Sequence, residues 1–191
     1  MEAALAYQEE YRACEMIDGE VYMMARPSYE HMRVEGNIFG LFDRYLRGKK
    51  CRPAFEMDVY LSDEDHVIPD VLILCNIELL KDGRINGAPD LVVAILSPST
   101  ARADKFRKRA LYEKYGVKEY WIVDPIGKTI EVYHLVESKY ELNKVCILKQ
   151  EQMWVRLNEE EKAAIEEQQR IKVSLYEDFM VEVAEVFRDV D

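Results

Sequence analysis

Two residues of this chain have a type and setting that could do chemistry. Asp70 sits inside the apolar run VIPDVLILC. On a strand, Ile68, Asp70, Leu72 and Leu74 share one face, and a carboxylate among aliphatic side chains is costly unless it is paired, hydrogen-bonded or bound to a metal. Lys108 lies in the basic stretch after a second apolar run, APDLVVAILSPST. It precedes Leu111, Tyr112 and Tyr115 by three, four and seven residues, which sets it on or beside the apolar stripe of a helix. An inward lysine near a buried acid makes either an ion pair, with its stem packed and its amine reaching for water, or a reactive site. Two strands that each bring an acid to one point are a common way to hold a hard divalent cation, which takes oxygen ligands. Here the first run brings Asp70 and the second brings Ala94, a methyl group.

The elements that must position these residues follow from periodicity and turn signals. A short helix from about Tyr7 leads into a strand near Met24, with Asp18-Gly19 as the turn before EVYMMA. Ser28 to Leu46 is an amphipathic helix, with Met32, Ile38, Leu41, Phe42 and Tyr45 near helical spacing. PAFEMDVYLS forms a strand on which Glu56, Asp58 and Tyr60 share a face, followed by a turn at Asp63 to His66 and the strand VIPDVLILC. NIELLKDGRING forms a loop. DLVVAIL forms a strand, Ala103 to Tyr115 a helix capped by Gly116, and EYWIVDP and TIEVYHLV a hairpin extended by YELNKVCIL. LNEEEKAAIEEQQR forms an exposed acidic helix, and IKVSLYEDFMVEVAEVF a last strand and a short helix. Antiparallel hairpins with one strand-helix-strand unit predict an α/β fold: a mixed central β-sheet flanked by helices, in one domain over residues 1–191.

Composition bounds the function. The 191 residues are 49% hydrophobic, enough for a sizeable core. No run approaches the roughly 18 apolar residues of a membrane span, and the acidic N-terminus is unlike a signal peptide, so the expectation is a cytoplasmic protein with no membrane partner. Four scattered cysteines with no CxxC pair are expected to be reduced and structural. The net charge of -11 is unevenly spread. Residues 101–118 hold seven bases and two acids (7 − 2 = +5), whereas residues 150–191 hold five bases and twelve acids (5 − 12 = −7). The basic stretch is either a solvated helix face or a surface for phosphates. His66 and His134 stand alone and are expected to be surface or packing residues.

The blocks CEMIDGEVYMMARPSYEH, FEMDVYL, IPDVLILC, NGAPDLVVAILSPST and GVKEYWIVDP, with Asp104, Lys108 and Tyr112 between the last two, occur in an order and spacing that resembles a bacterial family of restriction endonuclease domains within the PD-(D/E)XK nuclease superfamily. The resemblance runs from Cys14 to Leu135, and VSLYEDFMVEV resembles the family's last strand. The acidic helix at about 157–170 is expected as an insertion. The resemblance implies a restriction-endonuclease-like core. It makes Asp70 the metal-binding aspartate, and Lys108 the lysine that stands in for the K of the signature, whose usual strand position Leu96 occupies. Asp58 matches a recurrent acid of the preceding strand, and Glu30 with His31 a recurrent pair on the first helix, in metal-shell or structural roles. In that family the strand carries glutamate where this chain has Ala94.

The implied activity is hydrolysis of DNA phosphodiesters with Mg²⁺ or Mn²⁺, with Arg102, Lys105, Arg107 and Arg109 as the DNA-facing residues. Two readings stand. Glu56 reaches the ion in place of the missing glutamate and the chain is a working endonuclease, with a homodimer suited to cutting both strands; or the chain is a catalytically silent module that binds DNA or a protein. Either way, recognition of a particular base sequence is not legible here.

Overall fold

The structure, a computed structural model, describes residues 13–97, 101, 103–149 and 157–190. Hairpin β1 (Cys14–Ile17) and β2 (Glu20–Met23) comes first, then helix α1 (Tyr29–Leu46). Short strands follow: β3 (Arg52–Phe55), β4 (Val59–Tyr60), β5 (His66–Val67), β6 (Val71–Leu74), β7 (Leu80–Lys81) and β8 (Arg84–Asn86). After β9 (Leu91–Ile95), a π-helical segment (Ala103–Lys108) runs into α2 (Arg109–Lys114). Then come β10 (Glu119–Asp124), β11 (Thr129–Val136), β12 (Lys139–Ile147), α3 (Glu159–Glu167), β13 (Arg170–Lys172), β14 (Met180–Glu182) and α4 (Val183–Val186).

The main sheet has the order β12-β11-β10-β9-β6-β3, and a second sheet the order β2-β1-β5-β4-β8-β7. In the main sheet β9 and β10 are parallel and the other neighbours antiparallel, giving the mixed α/β arrangement expected from the sequence. The helical crossover between β9 and β10 is what a parallel pair requires. Every residue of β6 and β9 is buried, because both faces of the sheet are covered. One face packs Val71, Ile73, Val93 and Trp121 against Ile38 and Phe42 of α1. The other packs Leu72, Val92, Ala94 and Tyr120 against Leu111 and Tyr112 and against the second sheet.

Helix α1 starts where the sequence predicts, because the Ser28 side chain accepts the His31 N–H as an N-cap. Elsewhere the structure departs from the expected elements. PAFEMDVYLS is not one strand: Glu56 takes a left-handed φ of 45°, and the chain passes there from β3 in the main sheet to β4 in the second. VIPDVLILC likewise splits into β5 and β6, leaving Asp70 at the junction just before β6 rather than within a strand. NIELLKDGRING holds the hairpin of β7 and β8 instead of a loop. The helix proposed from Tyr7 falls largely outside the described residues. The expectation of four reduced cysteines is also corrected: Cys51 and Cys75 form a disulfide, while Cys14 and Cys146 are free. The pairing of Arg52 with Leu74 across β3 and β6 puts the two cysteines opposite each other one step further along, a relation that spacing alone does not reveal. No helix among the described residues is long and apolar enough to cross a membrane.

Candidate functional site

Asp70 and Lys108 line one cleft of about 180 Å³, together with Glu15, Asp104, His31 and Glu56. Asp70 is fixed from two sides. Its Oδ2 accepts the backbone N–H of Ile95 at 2.6 Å, and its Oδ1 lies 3.3 Å from His31 Nε2 on α1. The backbone of the same residue accepts the N–H of Glu56, so the β3–β4 corner is tied to it. Continuing the pairing of Val71 with Val93 brings Ala94 opposite Asp70. Residues directly opposite in an antiparallel pair point to the same face. Ala94 therefore occupies a position from which a longer acid could join Asp70, but its methyl packs in the apolar cluster with Tyr112 and Tyr120.

Lys108 arrives from the other layer. The π-helical segment ahead of α2 brings its Nζ to 3.3 Å from Asp104 Oδ1 and 2.8 Å from Glu15 Oε2. Such one-turn irregularities are frequent at functional sites. Glu15 is itself held, because its Oε1 accepts the Ile68 N–H at 3.0 Å. Burial alone would lower the Lys108 amine, but the carboxylates of Glu15, Asp104 and Asp70 outweigh it and hold the ammonium well above its ordinary range. The amine is thus a donor and a fixed positive charge at neutral pH, not a base. Tyr112 and Tyr120, fully desolvated behind it, are held protonated. The Tyr120 hydroxyl donates to the Asp104 carbonyl at 3.1 Å and anchors the segment.

On the α1 side, burial lowers the His31 imidazole pKa, but the Asp70 carboxylate more than reverses this, so the ring leans towards its charged form. Glu35 lies one helical turn beyond His31 on the same face, only 8% exposed. Burial, reinforced by the charges of Asp70 and Glu56, pushes its carboxyl up to about 7. Its Oε1 is buried and has no hydrogen-bond partner among the described residues.

The remaining sequence candidates are dispersed. Asp58 holds His66 through a 2.8 Å contact and does not line the cleft, and neither does Glu30. His66 stacks on Tyr60 rather than standing alone, while the other isolated histidine, His134, lies 3.8 Å from the buried Glu119. Of the basic residues, Arg107 lines the cleft, with its guanidinium over the Tyr22 ring at 4.2 Å. Lys105 and Arg109 turn instead to Glu131 and Tyr133 on β11, and Arg102 lies outside the described residues. Glu15 and Glu35 were not singled out in the sequence. Each had a signal: Glu15 alternates with Ile17 on the inward face of CEMI, and Glu35 falls four residues after His31.

A hard divalent cation suits this donor chemistry. Among the described residues no group of three or more His, Cys, Asp or Glu stands at metal-holding geometry. Mg²⁺, however, commonly takes one or two carboxylates and completes its shell with water and phosphate oxygens. The orphaned Glu35 Oε1 beside the charges of Asp70 and Glu56 is the kind of buried acceptor that a cation would satisfy. A larger cavity, about 970 Å³, opens near α3 and β13, but Lys144 and Arg170 on its wall are already engaged with backbone carbonyls and Glu182. It gathers no comparable set of strained acids.

The chain is similar to known proteins in three respects. A family model described as "putative restriction endonuclease" matches residues 1–166. The uncharacterized protein slr1290 of Synechocystis is 28% identical over 123 residues, 63% of this chain and 65% of that protein, so the chain spans about two thirds of the relative's length. The crystal structure of a "putative nuclease" of DUF820 from Anabaena variabilis superposes with a TM-score of 0.69 at 18% identity, covering 92% of this chain and 90% of the other, a likeness of fold.

Proposed function

We propose that this chain, which belongs to the Uma2 family of "putative restriction endonuclease" proteins, is an endonuclease that hydrolyses DNA phosphodiesters with a bound Mg²⁺ or Mn²⁺. One observation carries the reading: Asp70 and Lys108, 38 residues apart, line the same cleft, one as a carboxylate held by Ile95 and His31, the other as a permanently charged amine. In the reaction a water oxygen bonds to phosphorus and gives up its proton to solvent, one P–O ester bond breaks, and the leaving oxygen takes a proton from solvent. The ion, when bound, neutralises charge on the phosphate and lowers the pKa of its water. Asp70 is the acid that holds it. Lys108 donates hydrogen bonds to the phosphate oxygens, where negative charge grows in the transition state. Glu15 and Asp104 keep that amine protonated and aimed. Arg107, at the mouth of the cleft, attracts the strand backbone, so DNA binding should weaken as salt rises.

Ala94 favours a second reading, a non-catalytic module of the same fold that binds DNA or a protein. Plasmid cleavage with Mg²⁺ or Mn²⁺ separates the two. The expected result is nicking by the wild-type protein that Asp70→Asn reduces by orders of magnitude. Absence of cleavage by the wild type, with cleavage by Ala94→Glu, would establish the silent module.

A further inference from the structure

Position 94 brings a methyl group, whereas the first helix carries a buried acid, Glu35, on which the Asp70 charge acts. We propose that Glu35 is the second carboxylate of the divalent-cation site, joining Asp70 from α1. This inference rests on the endonuclease reading only for the role of the ion, not for its binding.

The geometry supports it in three ways. First, Asp70 presents Oδ1 towards α1, where His31 meets it at 3.3 Å, and Glu35 follows His31 by one helical turn on the same face. Second, Glu35 is 8% exposed, yet its Oε1 has no hydrogen-bond donor among the described residues. A buried carboxylate oxygen without a donor is costly, and buried charges are ordinarily paired or coordinated to metals. Third, the charges around it have the wrong sign for a purely structural acid: Asp70 and Glu56 both act on Glu35, and His31 alone opposes them. Lys108, the nearby cation of the cleft, is already engaged by Glu15 and Asp104. A divalent ion between Asp70 and Glu35 would satisfy the orphaned oxygen and remove the repulsion together. The sequence alone points instead to Glu56, but that residue is exposed at a left-handed corner and holds Asp70 through its backbone N–H.

Mn²⁺ titrations of EDTA-stripped protein at pH 8, followed by electron paramagnetic resonance, test this directly. The proteins are wild type, Glu35→Gln, Glu56→Gln and Asp70→Asn, each checked for folding by circular dichroism. Glu35→Gln removes a buried charge and keeps the shape, so it should fold at least as well as the parent. The expected result is a bound ion in the wild type, held at least tenfold more weakly by Glu35→Gln and Asp70→Asn and nearly unchanged by Glu56→Gln. An affinity of Glu35→Gln within twofold of the wild type overturns the proposal while leaving the endonuclease reading intact. Failure of the wild type to bind Mn²⁺ overturns both. Binding that depends on Glu35, in a protein that cuts no DNA, sinks the endonuclease reading and leaves the ion site standing.

Discussion

Replacing Lys108 with methionine should unfold much of this protein's margin of stability before it reports anything about catalysis. The amine is buried and sits 2.8 Å from Glu15 and 3.3 Å from Asp104, two acids that are themselves 5% and 2% exposed. Removing one member of a buried ion pair strands the other, a cost of about 3–5 kcal/mol, against a total stability of about 5–15 kcal/mol for an ordinary domain. Glu15→Gln should cost only about 1–3 kcal/mol, because Asp104 still holds the amine and the amide oxygen still accepts from Ile68. In the double variant the methionine no longer faces the Glu15 charge, so the two losses should fall short of their sum by about 1–3 kcal/mol. Urea unfolding of the four proteins at pH 7.5, in EDTA, measures this cycle. A loss below about 1 kcal/mol for Lys108→Met, or strict additivity, would mean that the amine reaches water and the triad is not a unit. Until that is known, an inactive Lys108 variant would not distinguish a lost catalytic charge from a collapsed site.

Two other predictions concern stability. Glu35 makes the metal-free protein less stable as pH rises. Below 4.5 folded and unfolded chains both carry its proton, between 4.5 and about 7 the folded chain holds the proton more tightly, and above about 7 the full penalty of a buried charge is present. The gap corresponds to at most about 3 kcal/mol, so denaturant midpoints between pH 5 and pH 8.5 should fall more for wild type than for Glu35→Gln; equal slopes would refute the assignment. The disulfide closes a loop of 24 residues' separation, which constrains the unfolded chain by about 3 kcal/mol. Reduction, or Cys51→Ala with Cys75→Ala, should lower stability by up to that amount, and mass spectrometry of the unreduced protein should find the two thiols already oxidised.

What the sequence revealed, and what it hid, divides along the range of the interactions. Helix α1, strand β9 and the hairpin of β10 and β11 were legible because caps, turns and apolar periodicity are local. Asp70 and Lys108 were legible because a charge inside an apolar pattern contradicts its surroundings within a few residues. The breaks at Glu56 and before Asp70 were not, because they arise where a chain changes sheets, and the alternation of PAFEMDVYLS continues unbroken across the change. The disulfide depended on the register of β3 against β6, and the pairing of Lys108 with Glu15 on where β1 lies in the second sheet, although its other partner, Asp104, is one helical turn away in sequence. Glu35 carries no signal of its own in the sequence beyond falling one helical turn after His31. Only its burial beside Asp70 sets it apart.

Alanine at position 94, where the family resemblance implies an acid, acquires a physical meaning from this layering. Asp70 stands where the main sheet ends, so it can be approached from β9, from α1 and from the β3–β4 corner. A ligand on β9 would have to place its charge in the apolar cluster with Tyr112 and Tyr120, close to an amine that Glu15 and Asp104 already engage through two of its three N–H donors. With alanine there, that cluster closes without a further acid beside Glu15, Asp104 and Asp70 near Lys108, while on the α1 side the charges of Asp70 and Glu56 bear on Glu35. The amine is then spared a further partner and remains available to a phosphate, while the need for a cation is concentrated between Asp70 and Glu35. On this argument Ala94→Glu should not simply add a ligand: in the presence of Glu35 it introduces a competing pair for Lys108, and any gain in ion affinity should be larger when Glu35 has first been changed to glutamine.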